Sequence, residues 1–244
     1  MRDTTLYQHL LGLTDPWTVA RVELDVPTQR VDVWVEHPTG LQWPCPECGA
    51  VGSLHDHAAE RVWRHLDSCQ FQTFLHAEPP RMKCPEHGVR QVRLPWAEPH
   101  ARFTVLFEAF AIEVLRETSI QAARKILRIS WDEAWYLLHR AVNRGLARKQ
   151  PRLMPYLGVD EKSAGRGQRN YVTIVGDLVE GTVDEVTEGN EKQSFLGYLE
   201  ALTPEQREAI GAVAMDMSKA YIHAVLDGLA DGQDKIVFDR FHTS

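Results

Sequence analysis

The sequence contains no run of about eighteen apolar residues, and so no helix able to cross a bilayer is expected. Its start, Met1-Arg2-Asp3-Thr4-Thr5, lacks the basic-then-apolar pattern of an export signal. Together these omissions set the expectation of a cytoplasmic protein. Cysteine is scarce, with 4 in 244 residues. In a reducing compartment such thiols are expected as metal ligands or free thiols rather than disulfides. Net positive charge is missing too, since the chain carries −7. Taken whole, that balance argues against a nucleic-acid partner. Divided along the chain it does not. Residues 101–150 carry nine Lys and Arg against five acids, while residues 1–100 carry nine against thirteen and residues 151–244 nine against sixteen. Local charge steers nucleic acid more than the total does, so DNA contacts are expected in the middle segment.

Among the few cysteines there is a pattern. Cys45-Pro46-Glu47-Cys48-Gly49 and Cys84-Pro85-Glu86-His87-Gly88 are near-copies, each with two soft ligands three positions apart and a glycine after them. Two such turns complete a tetrahedral zinc site from Cys45, Cys48, Cys84 and His87, structural because no position stays open for water. Cys69, in Ser68-Cys69-Gln70-Phe71, reads as a strand thiol packed in the core. His55, His57 and His65 lack paired spacing and read as surface or hydrogen-bonding residues.

Before the first pair, residues 5–15 suggest a short amphipathic helix, and the alternating runs 22–26 and 31–36 a hairpin with one wet face. Phe71 to His76 reads as a strand. The alternation in Val89-Arg90-Gln91-Val92-Arg93 suggests an exposed edge strand. Arg61, Arg64, Arg81, Arg90 and Arg93 are either phosphate contacts or a solvated sheet face.

Residues 101–149 read as helical throughout. Phe103, Leu106, Phe107, Phe110, Ala111 and Val114 form one apolar stripe, expected as core. A short helix from Ser119 to Leu127 and a tight break at Arg128-Ile129-Ser130 follow. Ser130 and Glu133 then form a capping box that starts another helix, with Ala134, Leu137, Leu138, Ala141 and Val142 inward. Two helices joined by three residues, with basic residues outside, predict a helix-turn-helix. Trp131, Asp132 and Trp135 would lie nearest the bases, and Arg124, Lys125, Arg128 and Arg140 nearest phosphate. Arg144 to Leu153 reads as a basic linker. Ser163 to Arg169 reads as a loop, either a flexible phosphate contact or a plain hairpin turn.

The last third is built from short apolar runs ending in acids. Tyr156-Leu157-Gly158-Val159 leads into Asp160-Glu161, and Ile210 to Met215 leads into Asp216. Runs of this length read as buried strands. Carboxylates at the ends of neighbouring strands can hold a divalent cation, which seldom accepts a single oxygen ligand. Between them, strands over 170–178 and 183–186 precede a helix capped at Asn190 and a second one at Thr203-Pro204-Glu205-Gln206. A helix over 221–229 and a buried strand over 235–239 follow. The order β-β-β-α-β-α-β is that of an RNase H-like core.

Gly158-Val159-Asp160-Glu161, the Tyr171-Val172-Thr173 hairpin strand, Met215-Asp216-Met217-Ser218-Lys219-Ala220-Tyr221 and Val237-Phe238-Asp239-Arg240-Phe241-His242 resemble the DDE transposases of bacterial insertion sequences. Trp63-Arg64-His65-Leu66-Asp67 and Pro95-Trp96-Ala97 are similar to the zinc-ribbon part of one group, the ISL-three family. The resemblance implies a multidomain α+β chain. An N-terminal β-rich zinc ribbon (1–98) would precede a central all-α helix-turn-helix (99–150) and a partial RNase H-like α/β core (151–244). It implies catalytic Asp160 and Asp216 binding Mg²⁺ or Mn²⁺, and a homodimer on double-stranded terminal inverted repeats. The family's third acid, a Glu on a later helix, has no counterpart up to Ser244, so the resemblance implies a C-terminally truncated transposase. Asp239 is the local candidate for that place, with Glu161 and Asp177 behind it. The alternative of a different class is a catalytically inactive, zinc-dependent DNA-binding protein or repressor derived from a transposase.

Overall fold

In the computed structural model the described residues are 3–163, 165 and 171–238. The chain divides into two compact units, Met1–Arg148 and Lys149–Ser244.

The first unit opens with helix α1 (Asp3–Leu10), then strands β1 (Thr18–Asp25) and β2 (Arg30–Glu36). Next come β3 (Gln42–Pro44), β4 (Val51–His57), β5 (Arg61–Ser68), β6 (Phe71–Ala77), β7 (Pro80–Cys84) and β8 (Gly88–Gln91). They form two four-stranded sheets, β1-β2-β6-β5 and β3-β4-β7-β8. Strand β2 alternates cleanly, with Val31, Val33 and Val35 buried and Asp32 and Trp34 on the wetter side. Its partner departs from the expected one-face pattern, because Leu24 is exposed and Val22 only half-buried. A cluster of indoles fills the core: Trp17 stands 4.8 Å from Trp96 and 5.4 Å from Trp43, and Trp63 is fully buried 5.8 Å from Trp96. Burying one such ring stabilises the fold by roughly 3 kcal/mol.

Cys69 is not a core thiol. It is exposed, in the turn between β5 and β6, with φ at 58°. That left-handed backbone is unusual for a residue with a Cβ and is imposed here by the tight β5–β6 connection.

Helices α2 (Val105–Glu117), α3 (Ile120–Leu127) and α4 (Trp131–Arg148) complete this unit. Residues 101–104 are not helical. Instead Phe103 bridges to Arg64 on β5, and Thr104 caps α2 through a hydroxyl that accepts from the Phe107 N–H. The predicted apolar stripe is half right. Phe103, Phe107 and Ala111 are buried with Ala123, Leu127, Ala134 and Leu137, but Leu106 and Phe110 are 48% and 44% exposed. Glu108, beside them, is buried and accepts from Arg140 Nε (3.1 Å) and Arg144 Nη1 (2.7 Å). Arg144 to Arg148 therefore continue α4 and are not linker.

The second unit contains β9 (Tyr156–Ser163), β10 (Tyr171–Asp177), β11 (Thr182–Glu188), α5 (Lys192–Ala201), α6 (Pro204–Ala209), β12 (Ala212–Met215), α7 (Lys219–Gly228), α8 (Gly232–Lys235) and β13 (Ile236–Phe238). Its sheet runs β11-β10-β9-β12-β13. The first three strands are antiparallel neighbours, while β12 joins β9 and β13 joins β12 in parallel. One face is covered by α5 and α7: Leu157, Val159, Val175, Val213 and Met215 pack with Phe195, Leu199, Tyr221 and Val225. Thr203 and Gln206 form a full capping box with proline in the first turn of α6. Asn190 does not cap α5; that place belongs to Glu191, without a side-chain bond. Strand β13 lies at the sheet edge, which leaves Val237 and Phe238 about half exposed rather than buried.

Candidate metal centres and nucleic-acid interface

The two cysteine-bearing turns close on each other because β4 and β7 are antiparallel neighbours. In the first turn the Cys45 N–H donates to the Ala50 carbonyl and the Gly49 N–H to that of Cys45, both at 2.9 Å. Gly49 and Gly88 sit at φ 77° and 69°, a conformation that a side chain would strain. The ligand atoms of Cys45, Cys48, Cys84 and His87 all lie within 4.8 Å of one another. Cys48 Sγ is 3.6 Å from Cys84 Sγ, and His87 Nδ1 is 3.6 Å from Cys84 Sγ and 3.8 Å from Cys45 Sγ. Three soft thiols and one imidazole in this arrangement fit a tetrahedral zinc ion.

Electrostatics agree with that donor set. The backbone N–H of His87, and after it the His87 side chain, bring the Cys84 thiol down to about 6. Although the Ala50 backbone lowers it, Cys48 is raised on balance by burial and by its neighbouring thiols Cys84 and Cys45. A cation relieves that crowding of thiolates. Sequence reasoning missed Glu47. Its carboxylate stands 3.3 Å from His87 Nε2 and also pairs with Arg90, orienting the imidazole from behind. An acid placed between the two cysteines was the available signal.

The acidic candidates lie in the other unit. Strand β9 runs on to Ser163, so Asp160 stands within the strand, opposite Ile174, and not past its end. Asp216 directly follows β12. The parallel register pairs Ala212 with Tyr156 and Ala214 with Gly158. Carried two residues further, it sets Asp216 level with Asp160. With period-two alternation, both project from the face opposite the one that buries Leu157, Val159, Val213 and Met215. Among the described residues each keeps one carboxylate oxygen without a hydrogen-bond partner. Asp160 Oδ1 accepts from the Glu161 N–H (2.8 Å), and Asp216 Oδ1 from the Ser218 N–H (3.0 Å). The buried Tyr221 hydroxyl is raised chiefly by burial, which the Thr173 hydrogen bond opposes, with smaller rises from Glu161, Asp216 and Asp160. That hydroxyl is 3.0 Å from Thr173 Oγ1, which donates to the Gly189 carbonyl.

Glu161 accepts from Asn190 Nδ2 at 2.7 Å, the contact that replaces the expected cap. Asp177 is a turn acid, not a partner of this site. It pairs across from Leu157, three residues up the strand, and accepts from the Val179 N–H (2.8 Å) while Arg152 approaches at 3.5 Å. Asp239, and residues 166–169 of the glycine-arginine loop, lie outside the described residues.

On the helices, Trp131 and Trp135 are 48% and 55% exposed, one turn apart at the start of α4. The Ser130–Glu133 box holds that start, with Ser130 N–H donating to Glu133 Oε2 at 2.8 Å and Glu133 N–H to Ser130 Oγ at 3.2 Å. Asp132 and Lys125 are exposed, and Arg124 reaches Gln121 Oε1 at 2.9 Å. Arg128 is differently employed. Its backbone makes the left-handed turn after α3, and its guanidinium pairs with Asp67 and donates to the Gln70 carbonyl at 2.9 Å. Arg140 is turned inward to Glu108. Nor is Arg64 a free surface charge: it is buried against Asp67 beneath the rings of Phe74 and Phe107. Arg81 and Arg90 are paired with Asp56 and Glu47, Arg93 donates to the Pro46 carbonyl, and Arg61 to that of Ala101.

A strand-rich thiol–imidazole centre, three helices and a mixed sheet follow one another in the order of the domains of zinc-ribbon DNA transposases. Three family models match in that order: a zinc finger of transposases IS204/IS1001/IS1096/IS1165 over residues 41–87, a helix-turn-helix domain of transposase family ISL3 over 92–142, and an ISL3 transposase domain over 157–244. The transposase for insertion sequence element IS1557 of Mycobacterium tuberculosis is 30% identical over 226 residues, covering 88% of this chain and 50% of that protein. The transposase for IS1001 of Bordetella parapertussis is 27% identical over 235 residues, covering 95% and 57%. The chain belongs to the ISL3 family of insertion-sequence transposases. It spans about half the length of the curated relatives it matches. No helix among the described residues is long and apolar enough to cross a membrane.

Proposed function

We propose that this chain recognises the terminal inverted repeats of an insertion sequence and contributes two acids to cleavage and transfer of its strands. The single observation that supports the catalytic part is the parallel register of β9 and β12, which, carried two residues past its last pair, would bring Asp216 level with Asp160. The sheet order, an antiparallel trio extended by two parallel strands, supports an RNase H-like core over 151–244. The zinc ribbon occupies 1–98 and the helix-turn-helix 99–150.

Each aspartate offers the oxygen not engaged by the Glu161 or Ser218 N–H, and together they would hold Mg²⁺ or Mn²⁺. A bound divalent ion supplies Lewis-acid stabilisation to the oxygens exchanged at phosphorus. The Tyr221–Thr173–Gly189 chain anchors α7 against β10 behind these acids. In the other unit Trp131 and Trp135 face base edges, and Arg124 and Lys125 face phosphate. Arg128 and Arg140 serve by fixing the turn and α4. Two copies acting as a homodimer would bring both ends of an element together.

Gel shifts with terminal-repeat duplex test the reading, alongside nicking of the same duplex in Mg²⁺. Binding is expected to survive Asp160→Asn with Asp216→Asn and to fail with Cys45→Ser or with Trp131→Ala plus Trp135→Ala. Any nicking of the duplex in Mg²⁺ is expected to be lost in Asp216→Ala. Nicking that persisted in Asp216→Ala would overturn the assignment. Tight repeat binding without any affinity of the acid pair for Mg²⁺ or Mn²⁺ would select the inactive DNA-binding protein instead.

A further inference from the structure

We infer a second transition-metal site in the first unit, built on His37 and His57 and taking zinc or a comparable divalent ion. His37 follows β2, and His57 ends β4; these strands belong to different sheets. Their Nε2 atoms are 3.0 Å apart. Two imidazole nitrogens each about 2.0–2.1 Å from one ion sit roughly 3 Å apart, so the separation suits a shared ion. The state of His37 is set by its other nitrogen. Nδ1 lies 2.8 Å from the Pro38 carbonyl, which can only accept, so Nδ1 carries the proton and Nε2 presents a bare lone pair. A backbone carbonyl behind the ring is the usual way a ligating histidine is oriented.

The surroundings favour a cation. Both rings line a cavity of about 270 Å³ whose walls also carry Glu36, Glu60 and Glu78. Its remaining imidazole, His76, is already committed, with Nε2 at 2.5 Å from Asp32 Oδ1 and Nδ1 at 3.2 Å from Glu60 Oε1. A wall carboxylate or water completes the coordination of a two-histidine ion. With fewer preassembled donors, and none of them thiolate, this site is weaker than the Cys45-Cys48-Cys84-His87 centre. An ion there pins sheet β1-β2-β6-β5 to sheet β3-β4-β7-β8, beside the Trp17 and Trp43 rings that His37 touches at 5.4 and 5.0 Å.

The test is zinc stoichiometry by equilibrium dialysis and elemental analysis. It uses the whole chain carrying Asp160→Asn and Asp216→Asn, so that the acidic pair supplies no equivalent. A second equivalent of zinc is expected, lost in His57→Gln and in His37→Gln while the first is kept. With Co²⁺, the thiolate charge-transfer bands of the ribbon should be unchanged in both variants. His57 is exposed, so His57→Gln decides the matter if His37→Gln disturbs the indole cluster. A single equivalent in the parent, as expected of two neutral imidazoles sharing a proton, overturns the proposal. So does a second equivalent that survives His57→Gln.

Discussion

The two units hold candidate metal centres of opposite construction. In the first, four soft donors come from two tight turns and already lie within 4.8 Å of one another. In the second, two carboxylates come from different strands, levelled only by sheet register, and Asp160 is exposed. The thiolate–imidazole cage shares the indole core through Cys45, Cys84, Trp43 and Met82, but its four donors are crowded together unless an ion lies between them. Its metal affinity is therefore part of its folding energy. The acidic pair sits on a sheet that Leu157, Val213, Phe195 and Tyr221 already stabilise. An ion held there would be dispensable for folding.

The largest effect that would sharpen this contrast is removal of zinc. Chelation, or Cys84→Ser, should unfold sheet β3-β4-β7-β8, since structural zinc contributes on the order of 10 kcal/mol. Circular dichroism should show strand loss while the helices of the second unit persist. Retention of the full spectrum would break the comparison.

A buried carboxylate gives the next effect. Glu108→Ala leaves Arg140 and Arg144 without their shared partner and should cost about 3 kcal/mol in chemical denaturation. An exposed acid such as Asp160 should show nothing comparable.

Acid should weaken the first unit selectively. His65 is buried, and its Nδ1 lies 2.8 Å from the Thr104 hydroxyl, the same hydroxyl that caps α2. Burial, and then Arg64, push it down to about 4. Because the folded value lies below the ordinary one near 6.5, the stabilisation is complete above pH 6.5. It is lost as pH falls from there through about 4, in total roughly 1–3 kcal/mol. His65→Gln should flatten that part of the stability profile.

A smaller effect is expected behind the zinc ligands. Glu47→Gln weakens the support of His87 Nε2 and should lower zinc affinity by about 10- to 100-fold, measured by competition with a chromophoric chelator.

Much of this was legible in sequence, and the reasons for the rest are physical. The repeated spacing of Cys45-Cys48 and Cys84-His87 is local, so it survives without knowledge of the fold. The same is true of the Ser130–Glu133 and Thr203–Gln206 caps, which depend on residues three apart. Periodicity tells which residues share a face but not whether anything covers it. Leu106, Phe110, Val237 and Phe238 therefore read as core and are exposed. The turn at Cys69 follows from the connection of two strands, not from its own residue preference. The pairing of Arg128 with Asp67, 61 residues away, and of Arg140 with Glu108, 32 away, is tertiary and gives no short-range signal. The pairing of His37 with His57 gives no short-range signal either, the two being 20 residues apart and on separate sheets.

The most direct test of the contrast is Mn²⁺ binding to the zinc-loaded chain, followed by electron paramagnetic resonance, in the parent and in Asp160→Asn with Asp216→Asn. The account predicts a Mn²⁺ site in the parent that the double variant loses, with zinc content unchanged and stability altered by no more than about 1 kcal/mol. Equal Mn²⁺ binding in both proteins, or unfolding of the variant, would contradict it.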